Sequence, residues 1–592
     1  ASSWMNGMMW DGEREGLPYI QEVRRLAQGT TGATAHLSET RYAALSSEDI
    51  ALLPGLGQPR QEPEVAVTMA TERKRPLALV RIYPYRRNPV TGATERLVGY
   101  RLDLVEERRA GGHPGQLRSG SYPDNSKLAS GSWYRFSVHD DGVYKLTWSF
   151  LQDLGIDMNG LASDRINLYG NHAGLLPYVG SHLPANDLLT NAIEVVDGGD
   201  GQFGPNDYIL FYASSAQDWA WNATDERFEH TKNTYSDSAC YFVGLDIEEP
   251  KRVVNAALST DPATDQVSAF ADRQTIDRDL VNLLKSGRTW VGDTYNAQTP
   301  SYNYNFSVPN LRSTEPWCVR IDVLSRTIAP ALSTWNMTVN GQAFAFQDTN
   351  VNGHYAGPYA RQTVKTYCGS ASASNLQVSV AFDGADDISS VGWMNFLELN
   401  CRRDLRMAND QMRFRDPASV GAGRVGEFTL DQASSVTRIW DITEPWNTGN
   451  VAYSENGSQK IFRMATDTLR EFIAFKNSGF LTPVAIGPVA NQDLHGTGQA
   501  DLVIVCPDVF RNQAQRLADR RMEEGLSVRM VTPQEIYNEF SSGQRDGTAI
   551  KRFMKMLYDR AGSDPELMPR YLLLFGDGSY NNISTVGSNQ NW

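Results

Sequence analysis

Leu502-Val503-Ile504-Val505-Cys506, Leu526-Ser527-Val528-Arg529-Met530-Val531 and Tyr571-Leu572-Leu573-Leu574-Phe575 decide how the last hundred residues fold. The first is a continuous apolar run, suited to a strand covered on both faces. Phe510, Ala514, Leu517, Ala518 and Met522 follow it at helical spacing, and Gly525 closes that helix. After the second run, Thr532-Pro533-Gln534-Glu535 is a capping box with proline at the first helical position. Thr548 is expected to cap a third helix whose apolar face carries Ile550, Phe553, Met554 and Leu557. Strand, helix, strand, helix, strand is the grammar of parallel βαβ units with right-handed crossovers. Three strands are too few for a complete doubly wound sheet, so the expectation is a chain cut inside a domain.

Upstream the pattern is different. Between about 260 and 450, short strands such as Val319–Val323, Leu376–Val380 and Phe396–Asn400 alternate with Gly/Asn/Ser/Pro turns, which favours a β-sandwich. Trp133–Val138 and Val143–Leu146 flank His139-Asp140-Asp141-Gly142 and read as a β-hairpin. Asp197-Gly198-Gly199-Asp200-Gly201 is a tight acidic loop feeding a buried strand at Asp207–Tyr212. Residues 1–125 hold strand-like pieces, Leu77–Tyr85 and Leu97–Val105, and read as an extended β-rich region, with Glu106–Lys127 as a linker. The expected domains are 1–125, a β domain at 126–260, a β-sandwich at 261–480, and the first half of an α/β domain at 481–592.

Composition bounds the function. The hydrophobic fraction of 41% supports real cores, and 13 Trp with 25 Tyr suits β-rich extracellular proteins. A formal net charge of −14 gives no reason for a nucleic-acid partner. No run of about 18 apolar residues occurs. Cys240, Cys318, Cys368, Cys401 and Cys506 form no C-x-x-C pair, so neither a zinc site nor any other metal or cofactor is expected. An odd count leaves at least one thiol free, and one disulfide in the middle region is compatible with it.

In open α/β sheets, ligands bind beyond the carboxyl ends of the strands. Here those ends are Cys506-Pro507-Asp508, Thr532-Pro533 and Gly576-Asp577-Gly578-Ser579-Tyr580. Asp577 is the cleft candidate: a rim carboxylate holding substrate, or else a turn carboxylate accepting from its own loop. Ser579 lacks the G-x-S-x-G elbow of a serine nucleophile. Cys506, with His495 upstream, invites a thiolate reading, but a cysteine ending an apolar run normally packs as a small hydrophobe. Asp197, Asp200 and Asp207 lack the D-x-[DN]-x-[DN]-G calcium spacing and read as an acidic turn. Arg402-Arg403-Asp404-Leu405-Arg406 reads as a solvated strand end with an ion pair. Two classes remain open from the residues: an enzyme with an incomplete α/β domain, and a non-catalytic β-rich docking or adhesion module.

Asn491–Gly496, Ala500–Val505, Glu524–Val528, Val531–Gly543, Thr548–Lys551, Leu557–Arg560 and Leu572–Tyr580 together resemble the gingipain family of cysteine peptidases, in its branch of type IX secretion sortases. Gly142–Leu146, Asp207–Tyr212, Asn233–Asp237, Ser286–Trp290 and Gly392-Trp393 are similar to that branch's N-terminal β region, so the resemblance runs from about 130 to 592. It implies a caspase-like α/β domain with a His/Cys dyad, the histidine in Gly-His-Gly and the cysteine on a later strand. Neither motif occurs here, so no catalytic residue is assigned within this chain and the dyad is expected after Trp592. The implied reaction is removal of C-terminal secretion signals from cargo proteins and their transfer, through a thioester, to anionic lipopolysaccharide. The implied partner is PorV, an outer-membrane β-barrel in a surface attachment complex, and the implied location is the cell surface of a Bacteroidota bacterium. A secreted protease that only hydrolyses is the alternative enzyme.

Overall fold

A computed structural model describes residues 8–578 and Asn581, apart from 12–16, 28, 54–55, 58, 73–74, 109–121, 172–173, 179–184, 288, 329, 356, 371–373 and 386. The chain divides into two compact units, 1–120 with 557–570, and 121–556 with 571–592.

In the first unit, a four-stranded antiparallel sheet runs in the order Met9–Asp11, Leu17–Arg25, Arg75–Tyr83, Glu64–Glu72. A second sheet pairs the 15-residue strands Thr30–Ala44 and Thr94–Arg108, with Tyr85–Arg87 beyond. Ala78, Val80, Ile82 and Leu97 are buried between them, with Ala33, Ala35 and Leu37 packed against that core. The region is therefore compact rather than extended. Ala33-Thr34-Ala35-His36-Leu37 alternates with period two, but on small residues that carry a weak apolar signal. The expected linker partly falls at 109–121, outside the described residues; its first residues, Glu106–Arg108, are strand.

In the second unit, residues from about 126 form a two-sheet β module. One sheet runs Thr190–Asn191, Ile166–Tyr169, Ala239–Leu245, Ser132–Val138, Val484–Val489; the other runs Glu194–Val196, Tyr208–Ala213, Gly142–Thr147. The expected 133–146 hairpin is absent, because these two strands lie in different sheets. The turn at His139–Asp141 carries the chain across the core, so Phe136 and Val138 from one sheet and Tyr144 and Leu146 from the other share one apolar cluster. Alternation identifies a buried face, but it does not say which strand completes the pair.

Residues 269–404 form a sandwich. One sheet is ordered Ala269–Asp277, Val391–Asp404, Trp317–Arg326, Arg361–Gly369; the other Ser301–Ser307, Asn375–Asp383, Thr334–Val339, Gln342–Gln347. Trp317, Val319, Ile321 and Leu397 of the first meet Phe306, Trp335, Val378 and Val380 of the second. Cys318 and Cys368 are disulfide-bonded across adjacent strands, and Cys240, Cys401 and Cys506 are free and buried. A separate core between 405 and 475, around Phe414, Phe428, Phe462 and Phe472, lies between two further sheets, so 261–480 contains two cores.

The arginine cluster at the end of this sandwich is solvated and ion-paired at Asp404 and Arg406, as expected, but built in at Arg403. Arg403 is buried and bonds Asp272 at 2.9 Å and the Pro309 carbonyl at 2.7 Å. Arg402 pairs with Asp416 and Arg406 with Asp431, so the run ties one β module to the next.

The C-terminal residues form the parallel sheet that the apolar runs require, ordered Val528–Val531, Leu502–Val505, Tyr571–Leu574. Helices Arg511–Glu523 and Pro533–Phe540 make the first crossovers. Ala514 and Ala518 are buried, whereas Met522 is exposed and not part of the helix's apolar face. The third helix, Gly547–Arg560, is capped by Asp546, whose Oδ1 accepts from Thr548 N–H at 2.7 Å; Thr548 is not the cap.

Candidate functional site

The central strand Leu502–Val505 is buried on both faces, and its carboxyl end fixes one rim of the sheet. Cys506 N–H donates to the Val531 carbonyl at 2.9 Å, and Phe575 N–H to the Val505 carbonyl at 2.9 Å, so all three strands end level. Cys506 packs with Leu502, Ile504, Ala514 and Ala518. Burial pushes its thiol pKa up, against the pull of Arg511. That holds the sulfur as the thiol, which is the wrong state for a nucleophile.

Thr532 completes the capping box: its Oγ1 accepts from Glu535 N–H at 3.1 Å, and Thr532 N–H donates to Glu535 Oε2 at 2.6 Å. At the third strand end Gly576 has φ +150°, which favours glycine, and Asp577 follows, exposed on the rim. Gly578 N–H donates to Asp577 Oδ1 at 2.8 Å, so this carboxylate also shapes its own turn. Ser579 lies outside the described residues.

His495 does not meet Cys506. Its Nδ1 faces Glu539 Oε2 at 2.6 Å and its Nε2 faces the Asn186 carbonyl at 2.6 Å. Both ring nitrogens are thus engaged, one by a carboxyl group and one by a main-chain carbonyl. Glu539 also accepts from Leu494 N–H at 2.8 Å, Gln492 Nε2 at 2.8 Å and His495 N–H at 3.0 Å. Both side chains are fully buried, and the imidazole stacks on Phe540 at 4.7 Å. Asp187 lies close by; burial raises its pKa to about 6, against the opposing pull of His495. The arrangement is a clamp between residues 492–496, the helix Pro533–Phe540 and the 186–187 loop, not a proton-transfer pair. Sequence reasoning missed Glu539, yet its spacing from Ile536 and its place beside Phe540 put it on the buried face of that helix.

The other sequence candidates are turn formers. Asp197 accepts from Gly199 N–H at 3.0 Å, Asp200 from Gln202 N–H at 2.9 Å and Asp207 from Gly204 N–H at 2.6 Å. Among the described residues, no group of three or more His, Cys, Asp or Glu is placed to hold a metal ion. No helix among them is long and apolar enough to cross a membrane.

Residues 495–591 match peptidase family C25. The match to this gingipain family begins at His495, the clamp histidine, and covers the parallel sheet. Dimeric latent PorU from Porphyromonas gingivalis has the same fold at TM-score 0.67 and 25% identity, covering 79% of this chain and 44% of that one. The chain thus spans less than half the length of the PorU it matches. The insecticidal delta-endotoxin Cry8Ea1 from Bacillus thuringiensis also aligns, at 10% identity over 42% of this chain and 55% of that one, but its TM-score of 0.16 carries no argument. No curated protein matches the chain. The architecture is PorU-like: β-rich modules followed by a C25 unit.

Proposed function

We propose that this chain is the β-rich platform and the first half of the peptidase domain of a type IX secretion sortase. Its parent removes C-terminal secretion signals from cargo proteins and passes them to anionic lipopolysaccharide. The observation that carries this reading is the C25 match on a parallel sheet whose outer strand is uncovered: Tyr571, Leu572 and Leu574 are 56%, 43% and 59% exposed. Leu572 and Leu574 share one face of this short edge strand and Tyr571 lies on the other, and exposed apolar side chains of this kind mark an edge that expects cover.

The catalytic dyad belongs to parent sequence outside these 592 residues. Among the described residues, the charged groups acting on the free thiols Cys240, Cys401 and Cys506 are arginines and aspartates, with no imidazole among them. In the parent, a thiolate attacks the carbonyl at the signal junction and a histidine carries the proton to the leaving amine. An oxyanion site stabilises the tetrahedral intermediate. Asp577, on the rim where substrate chains cross such sheets, positions the cargo or the loop that covers it. The acyl thioester is then resolved by an amine of the lipopolysaccharide. Attachment runs through the β-barrel PorV at the outer-membrane surface. The Cys318–Cys368 bond supports an extracytoplasmic location, since disulfides persist in oxidising compartments.

Mass spectrometry of cargo incubated with the parent protein and an amine acceptor tests the reaction. The expected product is cargo lacking its signal and carrying the amine. Hydrolysed cargo alone, at saturating amine, overturns transfer in favour of a secreted protease.

A further inference from the structure

The strands Gln217–Asn222 and Arg227–Lys232 pair only with each other, as a hairpin that leaves the β module and lies on the sandwich sheet. Part of its seating is independent of pH. Phe228 N–H donates to Asn400 Oδ1 at 2.7 Å, Asn400 Nδ2 returns a bond to the Phe228 carbonyl at 2.9 Å, and the Arg273 guanidinium sits 4.5 Å from the Phe228 ring centroid. The His230 backbone N–H also donates to Glu398 Oε1 at 3.0 Å and Lys232 Nζ to the Asp277 carbonyl at 2.9 Å, and the imidazole adds the pH-sensitive part. His230 Nδ1 faces Glu398 Oε1 at 2.6 Å and Nε2 faces Asp277 Oδ2 at 2.8 Å. The His230 side chain is 2% exposed and Glu398 is fully buried.

A neutral imidazole has one N–H and can serve one of two carboxylates; the imidazolium serves both. The groups around it balance only with that charge. Arg320 holds Glu398 Oε2 at 2.9 Å, and Lys232 reaches Asp277 at 3.4 Å and Asp279 at 3.0 Å. Three cations then meet three carboxylates. Asp322, also on this sheet, is held by Gln362 and Asn395 and its pKa is raised by burial, while Glu229 is paired with Arg227. Loss of the His230 proton leaves a buried surplus of negative charge and takes one N–H from the two carboxylates, with Glu398 still held by Arg320 and the His230 backbone N–H and Asp277 by Lys232.

We propose that this hairpin is a proton-tightened latch, held firmly on the sandwich while His230 is charged and loosened when it is not. Burial alone would lower the histidine's pKa, but the bonds to Asp277 and Glu398 outweigh it and the net shift is upward. The sign follows: the stabilisation is complete below the unfolded value of about 6.5 and is lost as pH rises through the higher folded value.

Hydrogen–deuterium exchange of residues 217–232 tests this. Protection is corrected for intrinsic exchange and referred to the sandwich strand Trp317–Arg326. In the intact chain it should fall by more than about twofold between about pH 6 and about pH 9. His230→Gln should be less protected than wild type at the acid end of that range and show no such pH dependence. Wild-type protection constant within about twofold, or a His230→Gln variant with the wild-type profile, overturns the latch.

Discussion

Glu539→Ala removes the partner in four hydrogen bonds and leaves the His495 ring without it in a fully buried site. Those bonds share one carboxyl group and cannot be summed. The larger penalty is the buried partner left behind, and breaking a buried pair from one side costs about 3–5 kcal/mol. At 1.4 kcal/mol per decade, the local opening equilibrium shifts by roughly two to three and a half powers of ten. A chain with this many modules does not unfold in two states, so a global midpoint is the wrong readout. Native-state hydrogen exchange at residues 492–496 and 533–540 is the right one. Protection there should collapse while the sandwich strand Trp317–Arg326 is unchanged. The double variant His495→Gln/Glu539→Gln should be less damaged than Glu539→Ala, because neither partner is left behind alone. A Glu539→Ala loss below about 0.5 kcal/mol, the usual surface value, refutes the clamp.

Three further outcomes follow from named contacts. Reducing the Cys318–Cys368 bond, or replacing both residues by alanine, opens a loop of 50 residues and should destabilise the sandwich by about 4 kcal/mol, read as native-state hydrogen exchange of Val391–Asp404; unchanged protection there contradicts this. Burial would raise the Glu471 pKa, but Arg415 at 2.7 Å, Arg273 at 3.2 Å and Arg413 at 3.9 Å hold it down to about 2. Its contribution is present above the ordinary carboxylate range and is lost as pH falls toward about 2, so Glu471→Gln should flatten acid unfolding in that window; an unaltered acid limb would be inconsistent with the network. Leu572→Ser/Leu574→Ser should reduce self-association in light scattering with stability within about 0.5 kcal/mol, whereas unfolding would show that the strand face is already covered.

The sequence was most legible where local and tertiary demands coincide. Leu502–Val505 could only be a central strand, and Thr532 with Glu535 announced a helix start that the coordinates reproduce atom by atom. It was least legible where pairing depends on distant chain. Ser132–Val138 and Gly142–Thr147 had the right alternation but find their partners in Ala239–Leu245 and Tyr208–Ala213. The compact N-terminal unit escaped notice because Ala33 and Ala35 stand where larger apolar residues would have declared a core. At the candidate site, Asp577 follows the third strand, a position the βαβ pattern marks by itself, whereas the seating of His495 depends on Glu539, 44 residues away, and on a backbone carbonyl. No local pattern encodes such a bond. The roles of Cys506 and Arg403 were likewise set by burial: one thiol packs as a hydrophobe, and one arginine is buried between Asp272 and Pro309.

Covalent labelling of the parent protein bears most directly on where the reactive machinery resides. A peptidyl electrophile built on a cargo signal junction would be applied, and the labelled cysteine mapped by mass spectrometry. The account predicts adduct on a cysteine outside residues 1–592, with Cys240, Cys401 and Cys506 unmodified. Stoichiometric adduct on any of those three would contradict it.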